Sequence, residues 1–373
     1  MQNIFAVTAY SVRKGMYFGV GASEMLVPAF PHDVSVSDKY AADQGIGSHM
    51  AGSEFRQFET SAHIQFVRLH TSKLINPSVV CVPLDMLLGE IISHFHERLT
   101  SVMELEEAHA VTSRVVEHFL SLKRVEQVLN KGVRVQEVDV SMMMDALARL
   151  LTHEPLQYVL GSAPFMGYEF LVDPSVLIPR PETEELVGWI LDTTSGSVSG
   201  KLVDFGTGSG CIPISFALKR PGWSTEGVDK SVSALETAKR NSERLNAPVR
   251  FGILDMLAYD AQEAYPSSGL DVMVSNPPYI PAGESESMET KVTGFEPAIA
   301  LFTPEDDPLL FYRALQRLAS VFLAPGGFLF LEVHERYARE TLRLFNDESF
   351  TQPELRSDLS GKPRMIRVRK AYA

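Results

Sequence analysis

The chain has 373 residues, 45% of them hydrophobic, enough to bury a full core and to form two domains plus additional sequence. A formal net charge of -13 disfavours a partner gripped mainly through a phosphate backbone. The two cysteines, Cys81 and Cys211, exclude a disulfide framework and a cysteine-ligated zinc site, and no apolar run approaches the length of a bilayer span.

Residues 1–23 lack acidic side chains and carry Arg13 and Lys14, a composition that admits an organellar targeting peptide. Residues 24–81 mix Gly, Ser, Asp and isolated aromatics without a sustained period, so 1–81 reads as an extension of uncertain order. Gly19-Val20-Gly21 follows no predicted strand and is not read as a phosphate loop.

The pattern changes near Val82. Leu84, Leu87, Leu88, Ile91, Ile92 and Phe95 predict a helix face, and Leu105, Ala108, Val111, Val115 and Phe119 a second. A short helical piece over 125–129 ends near Gly132, read as its cap. Val140, Met143, Met144, Leu147, Leu150 and Leu151 predict the last helix of a small domain over 82–155, its methionines serving as core filler. His94 and His96, two apart, splay around a helix and make no metal pair.

Residues 156–178 alternate apolar and polar, with Gly161 and Gly167 as turn points and strand character at Phe165, Tyr168, Phe170 and Val172, which predicts a β-hairpin linker over 156–182. Pro179-Arg180-Pro181-Glu182-Thr183-Glu184 then stops the strand and opens a helix with carboxylates in its first turn. Over 183–373, predicted strands at 201–205, 225–228, 249–253, 271–275, 327–332 and 365–369 alternate with helices at 211–219, 231–245, 309–323 and 335–345. That alternation is an open, mostly parallel α/β sheet whose ligand lies at the carboxyl ends of the first and fourth strands.

Asp204-Phe205-Gly206-Thr207-Gly208-Ser209-Gly210 runs from a strand through a glycine-rich turn into a helix, so backbone N–H groups can approach an anion. A dinucleotide fingerprint needs a third glycine where Cys211 stands; the spacing instead matches the loop that takes the amino-acid end of S-adenosylmethionine. Asp204, Phe205, Gly206, Thr207, Gly208 and Gly210 are therefore candidate cofactor residues. Asp229 ends the next strand, where a carboxylate can accept from two ribose hydroxyls; the alternative is a cap for the helix near Ser231. Asp255 ends the third strand, placed to accept from an adenine amino group, with Met256 against the ring. Cys211 lacks a His or Lys partner and reads as packing.

Asn276-Pro277-Pro278-Tyr279 follows the apolar run of the fourth strand. The Asn276 side-chain oxygen and the Pro277 carbonyl are two acceptors for the hydrogens of an NH2 group, which lets its lone pair face an electrophile. The two prolines stiffen the corner and Tyr279 offers a flat face, whereas a simple Pro-Pro turn ending a strand is the alternative.

Together these segments resemble the protein-(glutamine-N5) methyltransferases of peptide chain release factors, the HemK or PrmC family. The likeness rests on Pro155-Leu156-Gln157-Tyr158, the run from Leu177 to Glu184, Asp204 to Gly210, Val228 to Ser231 with Ala234, Leu235, Ala238 and Asn241, and Ser275 to Ile280. It continues through Glu296-Pro297, Asp307-Pro308-Leu309, Phe311-Tyr312-Arg313 and Asp358 to Lys362, from about 82 to the C-terminus. The resemblance implies a Rossmann-like class I S-adenosylmethionine-dependent methyltransferase domain, a small N-terminal helical domain that docks the release factor, and a hairpin linker. It further implies that Asn276, Pro277, Pro278 and Tyr279 bind the glutamine amide, with Phe165 and Tyr279 walling the pocket, in a cytoplasmic enzyme that uses no membrane and no direct nucleic-acid contact. Met256 departs from a frequent aromatic beside the adenine, and His334 from a frequent glycine. A methyltransferase for N6 of adenine or N4 of cytosine is the rival reading, since the same corner suits a flipped base; a non-catalytic docking protein on the same scaffold is a further one.

Overall fold

The computed structural model describes residues 8–12, 15–19, 27–28, 57–59, 65–67, 85–258, 269–287 and 294–372. These fall into two units, one comprising 1–88 with 132–141 and the other 89–131 with 142–373.

In the first unit, Thr8–Val12 pairs antiparallel with Gly15–Gly19, which also pairs with Val27–Pro28, and Gln57–Glu59 pairs with Gln65–Val67. A strand therefore does precede Gly19-Val20-Gly21, contrary to the expectation; it belongs to a hairpin. The segment around Leu87 is not helical as expected: Leu87 bridges Arg134, the Val135 N–H donates to the Met86 carbonyl at 3.0 Å, and Asp85 pairs with Arg134.

Four helices follow, α1 (Leu88–Leu99), α2 (Leu105–Leu120), α3 (Arg124–Leu129) and α4 (Glu137–Leu150). Ile91, Phe95 and Leu99 of α1, and Ala108 and Val115 of α2, are buried at three- and four-residue spacing, as one apolar helix face requires. Asn130, not Gly132, caps α3. A further short helix, α5 (Leu156–Leu160), occupies the start of the segment read as hairpin and closes on Gly161 in the left-handed region. The hairpin itself is β1 (Ser162–Phe165) and β2 (Tyr168–Leu171).

Helix α6 (Pro181–Thr193) opens with Pro181 at its first position and Glu182 and Glu184 in its first turn. Glu184 accepts the Met166 backbone N–H, which ties the hairpin turn to α6. Then come β3 (Gly200–Phe205), α7 (Cys211–Lys219), β4 (Trp223–Asp229), α8 (Val232–Arg244), β5 (Val249–Ile253) and β6 (Leu270–Ser275). The small pair β7 (Ile280–Pro281) and β8 (Phe302–Thr303) brackets α9 (Ala298–Leu301). Last are α10 (Leu310–Phe322), β9 (Leu323–Glu332), α11 (Ala338–Arg343), β10 (Phe350–Ser357) and β11 (Pro363–Lys370).

The main sheet has seven strands in the order β5-β4-β3-β6-β9-β11-β10. Its first five are parallel, and β11 pairs antiparallel with both β9 and β10. Both faces are covered. Val203, Phe205, Met273, Leu329 and Leu331 pack with α10 on one side; Leu202, Val272, Val274 and Phe330 pack with α6 and α7 on the other. Each such fully buried side chain contributes ~1.5–3 kcal/mol, and burial on both faces explains the nearly continuous apolar runs. Strand β10 was not predicted, because Gln352, Pro353, Glu354 and Arg356 belong to a half-exposed edge. Among the described residues no helix is long and apolar enough to cross a membrane.

Candidate active site

A cleft of about 900 Å³, open mouth included, lies at the carboxyl ends of β3, β4 and β6, the position predicted for the ligand. It is lined by Gly206, Gly208, Asp229, Asp255, Met256, Asn276 and Pro278 and by Val176, Arg180 and Thr183.

The glycine loop is held from below. The N–H groups of Gly206 and Thr207 both donate to the Val228 carbonyl, at 2.8 and 3.0 Å. Gly206, Gly208 and Gly210 have φ of 77°, 54° and 78°, a region that disfavours any side chain. Asn241, fully buried on α8, accepts the Leu171 N–H at 2.6 Å and donates to the Leu171 and Ser209 carbonyls at 3.0 and 2.9 Å, so the hairpin and the loop share one anchor.

Asp229 Oδ2 accepts the Gly208 N–H at 2.9 Å and Oδ1 the Ser231 N–H at 2.9 Å. The cap of α8 is Ser231, whose hydroxyl accepts from Ala234. Each Asp229 oxygen keeps a further lone pair toward the cleft. Asp255 is two residues past the end of β5; its Oδ1 accepts the Leu257 N–H at 2.9 Å. Met256 lies against the loop, its Cε 3.3 Å from where a Cβ on Gly206 would stand.

Asp204 is wholly buried, and neither carboxylate oxygen has a hydrogen-bond partner. Burial pushes its pKa up to about 7; the neighbouring Thr207 hydroxyl pulls down without reaching hydrogen-bond geometry, and the Asp229 charge adds to the rise. Phe205 is also buried, stacked on Phe322 at 6.5 Å, and supplies its carbonyl to the Ser275 hydroxyl at 2.6 Å. Cys211 lines the cleft only 8% exposed, and burial pushes its thiol up to about 12.

At the far end, Asn276 Nδ2 donates to Thr183 Oγ1 at 3.1 Å, and Thr183 Oγ1 donates to Glu332 Oε2 at 2.6 Å. The Tyr279 hydroxyl donates to Glu332 Oε1 at 3.2 Å. Burial raises the Tyr279 pKa, and the Glu332 charge raises it further. Burial likewise lifts Glu332 to about 7, against hydrogen bonds from Thr183 and Tyr279 and the charge of Arg364. Pro277 is buried between Asn276 and Pro278, both of which line the cleft, while Tyr279 is not among the lining residues. Phe165 is 1% exposed, edge-on to Phe170 at 5.9 Å within the apolar cluster beside α6, and is not on the cleft wall.

Two matching families cover most of the described residues: PrmC N-terminal domain over 90–161 and Methyltransferase small domain over 186–296. The release factor glutamine methyltransferase of Flavobacterium psychrophilum is 35% identical over 286 residues, 76% of this chain and 99% of that protein. Those of Bacteroides thetaiotaomicron and Streptococcus pneumoniae are 33% and 34% identical, over 75% and 76% of this chain and 99% and 98% of theirs. The chain belongs to the release factor glutamine methyltransferase family.

As a release factor glutamine methyltransferase family member, it carries at its site several residues that the sequence reading did not single out as functional. Thr183 lies in a segment whose sequence fits a helix entry or equally a cofactor lid, and Glu332 at the end of a predicted strand. Glu332 has a signal: a lone carboxylate closing the otherwise apolar run Phe328-Leu329-Phe330-Leu331 on a strand buried on both faces. Arg180, on the cleft wall, pairs with buried Glu296, whose other oxygen accepts the Ile178 N–H at 3.2 Å. His334, the departure noted from sequence, packs edge-on to Tyr279 at 6.0 Å, and its pKa is lowered by burial. No group of three or more His, Cys, Asp or Glu side chains among the described residues could hold a metal ion.

Proposed function

We propose that this chain transfers a methyl group from S-adenosylmethionine to the side-chain amide nitrogen (N5) of the glutamine in the Gly-Gly-Gln loop of a peptide chain release factor. The observation that carries this reading is the bond from Asn276 Nδ2 to Thr183, which leaves Oδ1 of Asn276 to accept from an incoming NH2 group.

The residues present fit the cofactor. The positive-φ loop brings backbone close without side chains, Asp229 retains acceptor capacity at the end of β4, and Asp204 is an unpartnered buried carboxylate beneath the loop. Gly206, Thr207, Gly208 and Gly210 would hold the amino-acid end, Asp229 the ribose, and Asp255 with Met256 the adenine. When bound, S-adenosylmethionine supplies an electrophilic methyl group.

An amide nitrogen is a poor nucleophile because its lone pair is delocalised into the carbonyl. The protein therefore works by alignment: Asn276 Oδ1 and the Pro277 carbonyl hold the two amide hydrogens, and the proline-stiffened corner fixes their direction. Holding reactants in such register can lower a barrier by ~7–11 kcal/mol. Tyr279, bonded to Glu332, braces the corner from behind. No strong base is required, since the methylated nitrogen is acidic enough to lose its proton to a carbonyl or water.

We assign 82–155 to docking the release factor, 156–182 to the linker and 183–373 to the methyltransferase domain, with 1–81 as an extension. Because a release factor works during translation, the reaction is assigned to the cytoplasm. The experiment is a competition: labelled cofactor offered with a release factor, DNA and RNA. Label on the release factor, and a glutamine peptide about 14 Da heavier by mass spectrometry, supports the reading; label on nucleic acid overturns it in favour of base methylation.

A further inference from the structure

We propose that Glu332 is a positioning residue that acts through Thr183 to fix which end of the Asn276 amide faces the substrate. This deepens the proposed function and rests on it.

A carboxamide presents an acceptor at one end and two donors at the other, and the two ends have nearly the same shape. Only the acceptor end can grip the hydrogens of a glutamine NH2; the donor end would repel them. Asn276 follows directly after β6, and the shape of its carboxamide does not choose between the two orientations. The choice is made two residues away in space. Thr183 Oγ1 has a single hydrogen, and it lies 2.6 Å from Glu332 Oε2 and 3.1 Å from Asn276 Nδ2. An ionised carboxylate carries no hydrogen, so in that pair Thr183 must be the donor. Its hydroxyl is then left with lone pairs only, and it can bind Asn276 only through Nδ2. Oδ1 is thereby turned to the cleft that Asn276 and Thr183 both line. The polarity of three groups in series follows from the charge of the last.

Glu332 closes β9, while Thr183 is in the first turn of α6, so the relay crosses between two elements. Thr183 and Glu182 on α6, Tyr279 after β6 and Arg364 on β11 act on Glu332, and the Glu332 charge in turn raises Tyr312 on α10 and Cys211 on α7. Arg364 also pairs with Asp358 at 3.3 Å, which holds that cation in place. Burial sets Glu332 near neutrality, at about 7. A proton taken up there can be donated back to Thr183 Oγ1, which frees the Thr183 hydrogen to point at Asn276 and admits the turned amide with Nδ2 outward. The device therefore reads as ionised and productive above that value, and as ambiguous below it.

The test uses the full chain with a recombinant release factor and compares wild type, Thr183→Val and Thr183→Ser. Valine keeps the shape of threonine and removes the relay hydroxyl; serine keeps the hydroxyl. The expected results are a wild-type kcat/KM that falls as pH is lowered through 7, and a Thr183→Val rate lower on the order of tenfold to a hundredfold whose acid limb is lost. Thr183→Ser should restore most of the rate and the limb together. Affinity for S-adenosylhomocysteine, by calorimetry, should stay within about twofold across the set, a difference of about 0.4 kcal/mol. The relay is overturned by a valine variant that keeps wild-type kcat or keeps the acid limb. It is also overturned if cofactor affinity falls in step with rate, since Thr183 would then serve the cleft wall. A wild-type protein that labels no release factor removes the parent reading instead, a result recognisable before any variant is made.

Discussion

Asp229 Oδ2 accepts the backbone N–H of Gly208 at 2.9 Å, so a carboxylate at the end of one strand holds the loop at the end of the next. Asp229→Ala removes that bond, the one to Ser231, and the acceptors facing the cleft. Losing charged acceptors of this kind costs ~1.5–3 kcal/mol each. Calorimetry with S-adenosylhomocysteine should show affinity weakened on the order of tenfold to a hundredfold, with the fold retained; unchanged affinity contradicts the assignment.

Asn276→Ala should separate chemistry from binding. Methyl transfer to the release factor should fall on the order of a hundredfold to a thousandfold, the effect of deleting one preorganised polar group. Cofactor affinity should be nearly unaltered, because the loop, Asp229 and Asp255 are untouched. Rapid-quench transfer assays beside calorimetry measure the two quantities, and wild-type turnover would remove Asn276 from its role.

Gly227→Ala tests close packing beneath the loop. A Cβ there would stand 2.6 Å from Thr207 Oγ1 and 3.0 Å from Phe251 Cε1. Overpacking of this degree destabilises by ~1–3 kcal/mol, so the melting temperature should drop. Cofactor affinity should drop as well, since Thr207 must move with its loop.

Asp204 should make stability depend on pH. Its pKa is raised by burial from 3.8 to about 7, so the folded state binds a proton more tightly than the unfolded chain does. The cost of holding the carboxylate is absent below the unfolded value, grows between the two values and is complete above about 7. Asp204→Asn should therefore be more stable than wild type at pH 8 by roughly 1–3 kcal/mol. That advantage should shrink as pH falls toward 4. Thermal melts of both proteins across this range decide it, and an advantage that does not change with pH argues against the ionised Asp204 as its source.

Much of the methyltransferase fold could be read directly from residue pattern. Val203 to Gly210 couples a buried strand, a turn that only glycines tolerate and a helix start, three signals that agree. The corner at Asn276 stands out by its prolines and amide after an apolar run, although a simple strand-ending turn has the same local pattern. Glu332 could not, because its meaning depends on Thr183, 149 positions away, and no local period encodes that meeting. Phe165 shows the limit of carrying roles by resemblance, since its ring is packed with Phe170 away from the cleft wall. Helix α5 was hidden because its five residues, four of them apolar, are too few to separate a helical from an extended period. Strand β10 was missed for a different reason: at a sheet edge, charged residues and a proline mask the alternation that marks interior strands.

Cys211 sits on the wall of the same cleft assigned to an alkylating reagent. A sulfur nucleophile so placed would ordinarily invite suicide methylation. Burial, which pushes the thiol up to about 12, keeps it in the unreactive protonated form at neutral pH. A protonated thiol at that position competes poorly with a glutamine nitrogen for the proposed methyl donor.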